Sequence, residues 1–144
     1  MATDSDHRHI TVDRTAKGRF TATSPRGGQI TIGTGADSDF TPVELLLAAI
    51  GSCTSIDVDI LTSRRAEPTV FRVVLDADKV RDHGGNHLAN IEVTFQVAFP
   101  DGEQGDAARE ILPDAVKRSN ERLCTVSRTV ELGTPVTTRV DDVA

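Results

Sequence analysis

The stretch between Phe40 and Pro68 constrains this fold more than any other part of the chain. Thr41 can serve as an N-cap, Pro42 stands at the first helical position, and Glu44 follows the cap by three residues. That is a capping box with proline at N1, and Phe40 and Leu45 flank it as a hydrophobic staple. Beyond it Leu46, Ala49, Ile50, Cys53, Ile56 and Ile60 recur at helical spacing. Leu45, Leu47 and Ala48 widen the apolar face, so the first half of a helix over residues 41–65 should be buried nearly all round. Arg64 and Arg65 suit its negative C-terminal end, and Pro68 marks the stop. A helix apolar on every side is hard to cover within 144 residues, and a dimer that sandwiches it is the natural solution.

The rest of the chain divides around that helix. Residues 9–14, 19–23 and 29–33 are short β-branched runs, with Ser24-Pro25-Arg26-Gly27-Gly28 as a turn between the second and third. Residues 69–80 alternate loosely, and residues 87–99 alternate clearly, with Ile91, Val93, Phe95, Val97 and Phe99 on one face. His83-Gly84-Gly85-Asn86 joins them as a turn. A second helix is expected over residues 104–122, kinked or split at Pro113, which lacks an N–H and clashes with the preceding turn. Residues 126–132 and 136–140 flank Gly133-Thr134-Pro135 and predict a terminal hairpin. The order ββ(β)–α–ββ–α–ββ, with short turns and antiparallel pairing, is α+β, in a single domain over residues 1–144.

Composition excludes several function classes. Five Phe, with no Trp or Tyr, leave little for stacking on bases, and a net charge of −6 opposes a phosphate-binding surface. No nucleic-acid partner is expected. No apolar run approaches the ~20 residues that span a bilayer, and the start of the chain, Met1 to Asp6, is acidic and polar, unlike a secretory signal. The expectation is a cytoplasmic protein with no membrane partner, in a compartment where thiols stay reduced and disulfides are transient or catalytic.

That setting gives weight to the only two cysteines, Cys53 in the long helix and Cys124 71 residues later. Their spacing fits neither a zinc knuckle nor a Cys-x-x-Cys motif. They can meet only if the fold brings two helix faces together, as one buried dithiol, which suggests thiol chemistry. Each could equally be a small core residue, since free cysteine is among the most buried types. Neither has a histidine nearby in sequence, so an activating group would have to be an arginine, which favours the thiolate and can donate to a peroxide oxygen. Glu44 needs no role beyond its cap, and Arg122 and Arg128 read as surface residues. His83 and His87 flank a Gly-Gly turn and His7 and His9 lie near the terminus, so no metal site and no cofactor is expected.

Taken together, the motif from Thr41 to Val58, which includes Pro42-Val43-Glu44-Leu45-Leu46 and Gly51-Ser52-Cys53-Thr54, resembles the OsmC/Ohr superfamily of osmotically inducible and organic hydroperoxide resistance proteins. Cys124-Thr125-Val126-Ser127-Arg128-Thr129, followed by Gly133-Thr134-Pro135-Val136, is similar as well, so the resemblance covers essentially the whole chain. It implies an OsmC-like fold, with antiparallel sheets around a long central helix in an intertwined homodimer and active sites at the interface. It also implies that Cys53 attacks an organic hydroperoxide to give an alcohol and a sulfenic acid. Cys124 then condenses with that acid to a disulfide, which a dithiol reductant reopens.

Two positions depart from the well-defined peroxidase branches, where a catalytic Glu directly follows the Pro of the first motif. Here that place is Val43, and Glu44 comes one residue later, a rotation of ~100° on a helix. The form resembles the OsmC-like branch. The family's N-terminal arginine has three candidates, Arg14, Lys17 and Arg19, of which Arg19 is chosen. The expected catalytic set is Cys53, Cys124, Arg19 and Glu44. The expected function is a thiol-dependent peroxidase acting on organic hydroperoxides. The alternative is a non-catalytic dimer that binds a small molecule or senses redox state, which loss of the positioned Glu would favour.

Overall fold

The computed structural model describes residues 6–141, and the ends of the chain, 1–5 and 142–144, lie outside the described residues, so the acidic start does too. The fold is α+β, with antiparallel sheets. It separates into two compact units, one up to Leu46 and one from Leu47, with the boundary inside the long helix.

The first unit is a three-stranded antiparallel meander of β1 (Thr11–Ala16), β2 (Arg19–Thr23) and β3 (Gln29–Ile32). Lys17 and Gly18 close the first turn, where Ala16 pairs with Arg19. The second turn is held by Ser24, whose carbonyl accepts from Gly27 N–H at 3.0 Å and whose hydroxyl accepts from Gly28 N–H at 3.0 Å. Helix α1 (Pro42–Ser63) then starts as its sequence dictates. The Thr41 hydroxyl accepts from Glu44 N–H at 3.2 Å and the Glu44 carboxylate accepts from Thr41 N–H at 2.8 Å, a reciprocal capping box.

The second unit takes α1 onward from Leu47. A long hairpin of β4 (Val70–Asp82) and β5 (Gly85–Ala98) turns at His83-Gly84, and its register slips by a bulge between Asp76 and Asp78. On β5 the side chains of Ile91, Val93, Phe95 and Val97 are half-buried while their neighbours face solvent, the alternation that the sequence predicts. Gly51 is where α1 meets β4, since a Cβ there would stand 2.4 Å from Leu75 Cδ2. Phe99, Ala66 and Ala108 form a small core with Val97 and Leu112.

Three expectations are corrected. Helix α2 (Glu103–Arg118) holds Pro113 within it, unsplit, and the helix expected to residue 122 gives way to one turn of π-helix, Ser119–Leu123. Residues 126–132 are not a strand: Thr125–Leu132 form helix α3, and residues 134–141 carry no regular structure, so the terminal hairpin is absent. The reason is local. Val126 and Val130 stand four apart, the helical interval, Cys124 caps the start, and Gly133 at φ 63° supplies the left-handed C-cap that other residues adopt only with strain.

The third correction concerns α1. Its own chain buries only a stripe of small and polar residues, through Ile50, Gly51, Thr54, Val58 and Thr62. Ile56 and Ile60 are 60% and 51% exposed. Among the described residues, α1 is one helix long and apolar enough to cross a bilayer, contrary to the expectation that no run reaches that length. A core helix meets the same test, and α1 carries Asp57 and Asp59 within its length.

Candidate thiol site

The second unit brings three segments to one place: the middle of α1, the π-turn after α2, and the start of α3. Cys53 and Asp57 stand four residues apart on α1 and therefore share a face. Thr54, next to Cys53, is buried.

Ser119 opens the π-turn and is fully buried. Its hydroxyl donates to Asp57 Oδ2 at 2.8 Å and lies 2.8 Å from the Thr54 hydroxyl. A serine has one proton to give, and Ser119 gives it to Asp57, so Thr54 is the donor in the second bond. The Ser119 carbonyl accepts from Cys124 N–H at 2.9 Å, closing the π-turn on the cysteine. One residue therefore ties Cys124 to two side chains of α1.

Cys124 is fully buried and caps α3 with its side chain. Its sulfur accepts from Ser127 N–H at 3.4 Å and donates to the Ser127 hydroxyl at 3.2 Å. The Cys124 sulfur thus meets an N–H group in the first turn of α3, where the helix dipole favours negative charge. The Cys53 thiol lies near enough to Cys124 and to Val126 N–H for both to act on its pKa. Both cysteines are free, and Cys53 is half-buried.

Burial pushes the Cys53 thiol above its ordinary pKa, and the neighbouring Cys124 and Asp57 push the same way, while Val126 N–H lowers it. None of these neighbours is a cation. Beside the site, Thr54, Phe95, Val116, Asn120 and Ser127 contribute to a cavity of about 410 Å³.

The other expected site residues are engaged within the first unit. Arg19 projects from β2 to the carboxylates of Asp37 and Asp39, which raise its pKa further, Asp37 foremost. Glu44 holds the capping box, and the Thr41 N–H keeps its carboxyl below the usual range. Arg14 lies on β1 opposite Phe20, and Lys17 is in the turn. His87 Nδ1 stands 3.3 Å from Asp82 at the hairpin tip, and no group of three or more metal-binding side chains occurs among the described residues.

Sequence reasoning missed Asp57, Ser119 and Ser127. Asp57 carried a signal, an acid four residues from a cysteine on an apolar helix. Ser119 carried none, because its partners are more than 60 residues away in the chain.

A family model described as OsmC-like protein matches residues 35–139. An uncharacterised protein of Mycobacterium tuberculosis is 30% identical over 133 residues, covering 92% of this chain and 95% of its own length. The crystal structure of a hypothetical protein from Aquifex aeolicus superposes with a TM-score of 0.70 at 26% identity, with 89% of each chain covered. The organic hydroperoxide resistance protein OhrB of Bacillus subtilis shares the fold at a TM-score of 0.53 and 18% identity, over 85% of this chain and 90% of its own.

Proposed function

This chain belongs to the OsmC-like family, and on that footing we propose that it is a thiol-dependent peroxidase that reduces organic hydroperoxides. The observation that carries this reading is that Cys124, at the first turn of α3, is tied through Ser119 to Thr54 and Asp57, the neighbours of Cys53 on α1. In the proposed cycle the Cys53 thiolate attacks the outer peroxide oxygen. The O–O bond breaks, the alkoxide takes a proton and leaves as the alcohol, and Cys53 becomes a sulfenic acid. Cys124 then attacks the Cys53 sulfur, the S–S bond forms, and the sulfenic oxygen departs as water. A dithiol reductant restores both thiols by exchange.

Arg19 is the proposed cation for the thiolate and peroxide, and its guanidinium pairs with Asp37 and Asp39. Glu44, the fourth residue of the expected catalytic set, is given the role of the helix cap and no step of the cycle, because its carboxylate is committed to Thr41 N–H. A homodimer of single OsmC-like domains is part of this reading, supported by the exposed Ile56 and Ile60 of α1. So is a cytoplasmic setting, which keeps the dithiol reduced.

The test is a single-turnover thiol titration of the reduced protein with cumene hydroperoxide or hydrogen peroxide. Rapid loss of two thiols with the organic peroxide, abolished in Cys53→Ser, is expected. Cys124→Ser should stop at the sulfenic acid. Slow loss with both oxidants would favour the second reading, a redox-sensing or small-molecule-binding dimer. A Cys53 thiol pushed upward by burial, Cys124 and Asp57, with no cation among the groups acting on it, is the observation on that side.

A further inference from the structure

We propose that Asp57 and Ser119 are positioning residues that hold Cys124 in reach of Cys53, and so set how readily the pair forms a disulfide; this rests on the thiol-pair reading above. Cys124 is at a point where the chain leaves one helix and enters another, and such a junction has no ladder of its own. Its backbone is fixed from behind by the Ser119 carbonyl, 2.9 Å from Cys124 N–H. Ser119 is in turn fixed to α1, the helix of Cys53, by the bonds to Asp57 and Thr54 at 2.8 Å each. Those bonds reach α1 at the position after Cys53 and at the position one turn on. The two sulfurs are therefore referenced to the same helix through one buried hydroxyl.

The π-turn makes this arrangement possible. A fifth residue in the turn carries Cys124 N–H back to Ser119, and Cys124 leaves in an extended conformation, φ −76° and ψ 100°, free to cap α3. Such turns recur at functional sites. Without the Asp57 and Thr54 bonds nothing else described ties Ser119's side chain to α1, and Cys124 would sample more positions relative to Cys53.

Disulfide formation by exchange with glutathione isolates this property from peroxide chemistry. One glutathione disulfide is reduced to two glutathiones as the Cys53–Cys124 bond forms, and the equilibrium gives the effective concentration of one thiol at the other. Wild type, Ser119→Ala, Asp57→Ala and Asp57→Asn are equilibrated anaerobically in glutathione buffers at fixed pH. Misplacement by about 1 Å can cost about a hundredfold, so losses of at least about tenfold are expected for Ser119→Ala and Asp57→Ala. Asp57→Asn keeps an oxygen that accepts from Ser119 and should stay within about threefold of wild type, a rescue that loss of packing would not show. Val58→Ala, which removes a buried side chain elsewhere on α1, is the stability control and should leave the effective concentration unchanged.

Effective concentrations equal to wild type in Ser119→Ala and Asp57→Ala would overturn the proposal, and so would an equal fall in Val58→Ala. If Ser119→Ala does not fold, by far-ultraviolet circular dichroism, the two Asp57 variants decide it alone. A parallel arm traps the sulfenic acid with dimedone after cumene hydroperoxide. Because Cys124 consumes the sulfenic acid in wild type, this arm uses Cys124→Ser, and a variant that forms no dimedone adduct would sink the peroxidase reading, while the glutathione arm would still decide the positioning role.

Discussion

Two carboxylates on α1 make opposite kinds of bond. Glu44 accepts from a backbone N–H three residues before it and lies at the surface. Asp57 accepts from a hydroxyl 62 residues away that has no exposure at all. The first closes a helix end that the local sequence already specifies. The second determines where another stretch of chain lies against the helix, and that stretch ends in a cysteine. Losing the first should weaken the helix and leave the thiols where they are, whereas losing the second should disturb the thiols themselves.

The largest separation should appear with Ser119→Ala, which strips Asp57 and Thr54 of a shared partner. Leaving buried polar groups unpaired costs about 1–3 kcal/mol, to be read from urea unfolding at neutral pH. Thr41→Ala, at the other end of the comparison, should cost about 1 kcal/mol, the ordinary value of a lost N-cap. Its glutathione equilibrium should match wild type. A thiol equilibrium that moves with Thr41→Ala would erase the distinction between the two regions.

The same distinction explains what the sequence could disclose. The capping box, the strands of both hairpins and the alternating face of β5 were legible because neighbours in sequence make those bonds. Helix α3 was misread as a strand because its cap is a cysteine, which is not among the usual N-cap types. The eight residues that follow mix β-branched side chains with a helical interval visible only at Val126 and Val130. That Cys124 is tied beside the helix of Cys53 at the start of another helix depends on Ser119, whose partners no local pattern could name. Arg14, Lys17 and Arg19 look alike in sequence, three basic residues around one turn, and the pairing of Arg19 with Asp37 and Asp39 is again made by residues 18 and 20 positions away.

A smaller effect should come from the charge on Glu44. Its folded pKa lies below its ordinary value, so the stability it lends is fully present above that ordinary value and is lost as pH falls through the folded one. Glu44→Gln can still close a capping box but carries no charge toward the helix N-terminus. Thermal unfolding should therefore place wild type slightly above Glu44→Gln at neutral pH, and the two should converge in acid. Peroxide-driven thiol loss should be the same in both. A loss of that reaction in Glu44→Gln would make the residue catalytic and put the chemistry at both ends of the comparison.

The smallest expected effect is also the one that separates the two roles open to Asp57. Burial is the main influence that raises the Cys53 pKa, and the Asp57 charge is a lesser one. Asp57→Asn removes that charge and keeps the acceptor for Ser119. The pH profile of Cys53 alkylation by iodoacetamide, followed by mass spectrometry on the reduced protein, should shift downward in this variant. It should stay above an ordinary cysteine, because desolvation is untouched. The same raised pKa makes the protonated thiol part of the folded state's stability, present below the unfolded value and lost as pH climbs through the folded one. Alkaline unfolding should accordingly be blunted in Cys53→Ser. A profile unmoved by Asp57→Asn would mean that the carboxylate acts on the thiol pair solely through Ser119, as a fixed point for Cys124 and not as a charge felt by Cys53.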